Sequence, residues 1–176
     1  TQYRNLLDLY KECKRAKEGR KNFLKKAALI PGIYVPSLYE VSYKEDGTID
    51  RRISLEEGIP EVIVKEMVRD VSDTYYPEKP VVPFIKVTQD RVVLEIMRGC
   101  IRGCRFCQAG QLYRPGRERD LEMLKNYAVT MLKNTGHEEI SLSSLSSSDY
   151  TKLPELLDFL IEECADRKIN ISLPSL

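Results

Sequence analysis

Residues 91–110 read RVVLEIMRGCIRGCRFCQAG. The first seven, Arg91 to Met97, form the short apolar run required of a strand buried on both faces. Cys100, Cys104 and Cys107 follow directly, spaced C-x3-C-x2-C. Working outward, Asp120 can cap a helix with the apolar face Leu121, Leu124, Ala128, Met131 and Leu132, and Gly136 stands where its C-terminus favours a left-handed residue. A second strand is expected from Glu139 to about Leu145. Pro154 lies in the first turn of a second helix whose face is Leu153, Leu156, Leu157, Leu160, Ile161 and Cys164, and Ile169, Ile171 and Leu173 alternate as a third strand. Strand, helix, strand, helix, strand is the order of two βαβ crossovers, so the sheet should be parallel and covered by helices. Three parallel strands leave an edge and a poorly covered face. The expected fold is therefore α/β, a partial TIM-like (βα) barrel cut short within a longer protein.

Upstream the pattern is different. Tyr3, Leu6, Leu7, Tyr10 and Cys13 recur at helical spacing among many Lys and Arg, which predicts one amphipathic helix from the start of the chain to about Ala28, weakened near Gly19. Tyr34 to Tyr43 reads as extended, Asp46-Gly47 as a hairpin turn and Ile49 to Ile53 as a return strand. Val62 to Val71 suits a helix by spacing and a strand by composition. Pro77, Pro80 and Pro83 then form a stiff connector, because each ring fixes φ and removes a ladder donor. These features divide the chain into a helix and small β module over 1–83 and the incomplete barrel over 84–176.

Composition sets the outer limits. The 176 residues are 42% hydrophobic, enough for a buried core, and 28 basic against 27 acidic residues argue against a chain built throughout to coat nucleic acid or an anionic membrane. No run approaches the roughly 20 apolar residues of a membrane span, so a cytoplasmic protein is expected. Three of five cysteines lie within eight residues, which points to metal rather than a disulfide framework. Three thiolates from one loop can ligate three irons of a cubane, leaving the fourth iron open to a substrate or cofactor. Zinc needs a fourth ligand, and neither a second cysteine pair nor a nearby histidine supplies it. Cys13 and Cys164 fall on apolar helical stripes and are expected as core residues.

The run EIMRGCIRGCRFCQAG resembles the cluster loop of radical S-adenosylmethionine enzymes. QLYRPGRERD, PGIYVPSLYEV and ISLSSLSSSDY are similar to a bacterial subgroup of that superfamily, of uncertain activity, whose longer members place a cobalamin-binding-like domain before the radical core. Gln89 stands where that subgroup tends to have His, and the Asp, His and Gly cobalamin signature is missing, so cobalamin binding is not expected. The resemblance implies a site-differentiated 4Fe-4S cluster on Cys100, Cys104 and Cys107, with S-adenosylmethionine chelating the open iron and being split reductively to a 5'-deoxyadenosyl radical. By motif position it places Phe106 on the adenine side of the cofactor and Ser144 and Ser146 near its methionyl amino group. The implied partners are a reductant protein such as flavodoxin or ferredoxin, the remaining domains of a longer chain, and an anionic RNA or protein substrate. No catalytic residue is assigned, and the fragment is expected to be inactive alone. The contrasting reading is a zinc-binding or metal-free interaction module.

Arg98, Arg102, Arg105, Arg114, Arg117 and Arg119 face the single acid Glu118 over this stretch, so at least one is expected to act on an anion. Ser143 to Ser148 also suit a turn, with Asp149 or Thr151 capping the second helix. His137 is expected exposed at a helix C-terminus, and Lys14 to Lys26 as a solvated face.

Overall fold

A computed structural model describes residues 2–176, which form two compact units that divide between Met67 and Val68. The expected division at Pro83 lies later in the chain. Residues 68–83 count with the second unit because Val71 is only 1% exposed there and Tyr76 packs on its core.

In the first unit the single expected helix is two, α1 (Gln2–Arg15) and α2 (Arg20–Ala27). Lys17 takes a left-handed φ of 55°, and the Glu18 N–H bonds back to the Cys13 carbonyl at 2.9 Å, which ends α1. Gly19 instead caps the start of α2 in an extended conformation. The inward line of α1 is Leu6, Leu9 and Cys13, which keeps Leu6 and Cys13 of the expected stripe and adds Leu9. Tyr3, Leu7 and Tyr10 are exposed, with the Tyr10 ring edge-on to Phe23 at 5.8 Å. β1 (Tyr39–Tyr43) and β2 (Ile49–Ser54) make the expected antiparallel hairpin. Its turn is fixed by Gly47 at φ 80° and by Asp46, whose carboxylate accepts from the Thr48 N–H (2.9 Å) and hydroxyl (2.6 Å). Ala28, Val35, Leu38, Tyr39 and Ile59 form a small core. Residues 62–71 are neither helix nor strand: Val62 and Val64 lie more than 70% exposed, so no apolar face exists to select either form.

The second unit follows its expected order. β3 (Val92–Glu95), β6 (Glu139–Ser143) and β7 (Asn170–Ser172) form a parallel sheet with β6 central, in a register that sets Leu94 beside Leu142 and Ile140 beside Ile171. α4 (Leu121–Thr135) connects β3 to β6, and α5 (Leu153–Ala165) connects β6 to β7. Asp120 caps α4 by accepting from the Met123 N–H at 3.1 Å, and Gly136 closes it at φ 70°. Leu94, Ile96, Leu124, Ala128, Ile140, Leu142, Leu156 and Leu160 are solvent-free and form the core. Between β3 and α4 the chain makes a long excursion, closed at its base by the short antiparallel pair β4 (Met97–Arg98) and β5 (Arg117–Glu118), with α3 (Gln108–Leu112) inside it.

Arg119, at the end of that excursion, has a fully buried side chain. Its guanidinium donates to the Val71 carbonyl (2.7 Å), the Glu95 carbonyl (3.2 Å), the Glu95 carboxylate (3.1 Å) and the Thr74 hydroxyl (3.4 Å), and lies 4.9 Å from the Tyr76 ring centroid. Tyr76 donates to the Val93 carbonyl and accepts from the Glu95 N–H. A buried charge is tolerated only when paired and hydrogen-bonded, and every arm of this one is. Burial pushes the Glu95 carboxyl upward, but Arg98 and Arg119 outweigh it and hold the group below its ordinary value.

Arg119→Met should therefore cost about 3 kcal/mol, since it removes one of the two arginines that pair with Glu95 and leaves the buried Glu95 carbonyl without its donor; hydrogen exchange of β3 and β6 amides is the measurement, and unchanged protection would contradict it. Because the folded-state pKa of Glu95 is depressed, its contribution is full above the unfolded value of about 4.3 and is lost as pH falls through the folded value. The stability difference between wild type and Glu95→Gln should accordingly shrink in acid unfolding titrations carried below about pH 4.

Candidate metal centre

The cysteine loop emerges at the carboxyl end of the sheet, where parallel α/β folds bind their ligands. Gly99 begins it at φ 90°. A Cβ at this position would stand 2.5 Å from the Tyr113 carbonyl oxygen and 2.6 Å from that of Pro115, so the returning limb of the loop closes directly on the glycine. Gly103 is also left-handed, at φ 68°. Cys100 is buried, Cys107 half-buried and Cys104 exposed. The Cys100 sulfur accepts from the Arg102 N–H at 3.5 Å, and the Cys107 sulfur from the Gly110 N–H at 3.4 Å. Backbone hydrogen bonds to cysteine sulfur are of the kind that tune iron–sulfur centres. Among the described residues no three His, Cys, Asp or Glu side chains converge on one ion. A cubane asks for something different, since each cysteine takes its own iron. The donor set of three sulfurs, two of them already accepting backbone N–H groups, fits such a cluster.

The arginines divide sharply by role. Arg98 forms a bidentate pair with Glu95 (2.7 and 2.9 Å), Arg119 is the buried core cation, and Arg117 donates to the carbonyls of Val68, Tyr113 and Pro115. Arg114 reaches Gly103. Arg102, between the first two cysteines, forms a bidentate pair with Asp149 (2.7 and 2.6 Å). The Arg102 pair and the Ser146 hydroxyl hold the Asp149 carboxyl below its usual range. Among the described residues Arg105 makes no hydrogen bond or ion pair, and it is exposed beside Phe106, which is 92% exposed.

The serine segment at the end of β6 is internally bonded. The Ser144 and Ser147 hydroxyls lie 3.0 Å apart, the Ser146 N–H donates to the Ser144 hydroxyl, and the Ser146 hydroxyl donates to Asp149 at 2.8 Å. Neither expected cap holds: Asp149 serves Arg102, the Thr151 N–H donates to the Glu118 carboxylate, and α5 starts without a side-chain cap. His137 is not the exposed residue expected, being 14% exposed with Nδ1 3.4 Å from an Asp90 oxygen. Cys13 and Cys164 are buried as expected, and burial, the main cause, raises both thiols. The sequence reading offered Asp149 only as a cap; its pairing with Arg102, 47 positions away, leaves no local pattern. It also passed over Glu95, although a lone acid inside an apolar strand always needs a partner.

Residues 94–176 match the family model of the Radical SAM superfamily, and this part of the chain belongs to that superfamily. The chain is also 32% identical over 133 residues to the uncharacterized protein MJ0966 of Methanocaldococcus jannaschii, an alignment covering 70% of this chain and 29% of that relative. The chain thus spans less than a third of that relative's length. No solved structure matches. Among the described residues no helix is long and apolar enough to cross a membrane.

Gly99→Ala should disrupt the loop, combining strain of about 1–3 kcal/mol with a clash against two backbone oxygens. Limited proteolysis between β4 and β5 should accelerate while the helical circular dichroism persists; a cleavage pattern like wild type would refute the close approach.

Proposed function

We propose that the chain is the first part of a radical S-adenosylmethionine enzyme core, with Cys100, Cys104 and Cys107 holding three irons of a 4Fe-4S cluster. The observation that supports this reading is the cysteine loop itself, pinched shut at Gly99 and delivered to the carboxyl end of a parallel sheet within the superfamily match. When bound, the cluster supplies one electron to S-adenosylmethionine, whose sulfonium carbon–sulfur bond then breaks. The chain's own residues bind and orient. The Arg102 and Gly110 N–H groups donate to the sulfurs of Cys100 and Cys107 and hold them in position. Phe106, uncovered next to Cys107, offers an apolar face to the adenine side of the cofactor. Ser144 and Ser146 shape the polar wall at the end of β6, though their hydroxyls also bond within the segment. The three strands form the start of a TIM-like barrel whose remaining strands would complete the pocket and exclude water. Arg105, exposed and without an acidic partner, suits an anionic substrate or an acidic reductant protein docking beside the loop.

Anaerobic reconstitution should load about four irons and as many sulfides per chain. Electron paramagnetic resonance of the dithionite-reduced protein should change on addition of S-adenosylmethionine, whereas a zinc-binding or metal-free module would give no such signal. Cys104→Ala should abolish assembly while leaving the fold intact, since Cys104 is exposed and outside the core; a variant that still assembles the same cluster would remove Cys104 from the ligand set.

A further inference from the structure

The carboxyl ends of all three parallel strands are joined by one hydrogen-bonded chain that starts inside the cysteine loop. Arg102, from the loop that follows β3, grips both oxygens of Asp149. Asp149 accepts from the Ser146 hydroxyl, and the Ser146 N–H donates to the Ser144 hydroxyl just beyond β6. Ser144 meets the hydroxyl of Ser147, which is bonded in turn to the Pro174 carbonyl, while the Ser147 N–H donates to the Ser175 carbonyl beyond β7. The chain is well shielded at its centre: Asp149 has 10% of its side chain exposed, Ser146 is 7% exposed and Ser147 is fully buried.

Two properties set Arg102 apart from the other loop arginines. It is a loop arginine with a bidentate grip on an acid from another strand end, at a separation of 47 residues; Arg98 grips Glu95, three residues before it. Its backbone N–H bonds the Cys100 sulfur, and it stands in the chain between Cys100 and Cys104. One residue thus ties the loop to the end of another strand and bonds a candidate ligand sulfur through its backbone.

We propose that Arg102 and Asp149 form a clamp that positions the cysteine loop against the strand ends, and that the clamped guanidinium raises the reduction potential of the cluster held there. The second half rests on the cluster reading above. A cation beside an anionic cluster favours the reduced form, which carries one more negative charge, and net charge is among the established determinants of such potentials. The first half depends on geometry alone and holds for the metal-free chain.

The test uses Arg102→Gln, Arg102→Lys and Asp149→Asn beside wild type, with two readouts. In metal-free protein, thermolysin should cut the loop faster in Arg102→Gln and Asp149→Asn than in wild type; equal rates overturn the clamp. In anaerobically reconstituted protein, a redox titration followed by electron paramagnetic resonance should show a lower midpoint potential in Arg102→Gln, a higher one in Asp149→Asn and a value near wild type in Arg102→Lys. The same variants should lose their cluster to a chelator about tenfold faster, as outer-shell substitutions at metal sites commonly do. Loosening the loop would move both neutralising variants the same way, so opposite shifts are the signature of the charge. Potentials that coincide with wild type, or that move together, overturn the electrostatic half. Should wild type itself take up no cluster, the cluster reading and the electrostatic half fail together, while the proteolysis result still decides the clamp.

Discussion

A guanidinium sealed from water sets the terms for the second unit. Arg119 has no exposed side-chain surface, so its desolvation has to be offset within the protein, by two backbone carbonyls, the Glu95 carboxylate, the Thr74 hydroxyl and the faces of Tyr76 and Tyr127. These partners come from three separate pieces of chain. Val71 and Thr74 precede the sheet, Glu95 ends β3 and Tyr127 lies on α4. The Arg119 carbonyl also accepts from the buried Tyr150 hydroxyl, whose pKa burial pushes up to about 12, so that tyrosine stays a donor at any ordinary pH. Glu95 carries a second arginine, Arg98, at the mouth of the cysteine loop. Core electrostatics and loop geometry therefore share one carboxylate.

This arrangement explains why so few of the loop's arginines are available for ligands. Read as composition, six cations against one acid look like an anion site. Folded, Arg98, Arg102, Arg117 and Arg119 each have named partners that hold the polypeptide in shape. Arginine suits this work because its planar fork can satisfy several carbonyl oxygens at once, as Arg117 does with three. The basic character of the segment is mostly an internal device for holding a long irregular excursion between β4 and β5 without a hydrophobic core of its own.

The elements that sequence made legible were those governed by local rules. The Asp120 cap, the left-handed Gly136, Pro154 in the first turn and most of the stripe from Leu153 to Cys164 depend on neighbours within a turn or two and, although Ile161 of that stripe is exposed, fall in place. So does the Asp46-Gly47 hairpin. What stayed hidden depended on partners far along the chain. The break after Arg15 arises from Lys17 adopting a left-handed conformation that nothing in its side chain favours. Of the expected stripe Leu6 and Cys13 turn inward, joined by Leu9, while Tyr3, Leu7 and Tyr10 lie exposed. At the candidate site the three cysteines announce themselves by spacing, whereas Asp149 is silent until the strand ends come together.

The three sulfurs differ in depth, from Cys100 under the surface through Cys107 to Cys104 in the open. A soluble thiol reagent therefore meets them in a set succession, beginning with Cys104. On the proposed cluster reading, a single adduct leaves the chain with two donors, too few to restore a three-point mount. Damage of this kind is all or none at the level of the individual molecule, so a weathered preparation is a blend of sound and disabled copies rather than a uniform population of weakened ones.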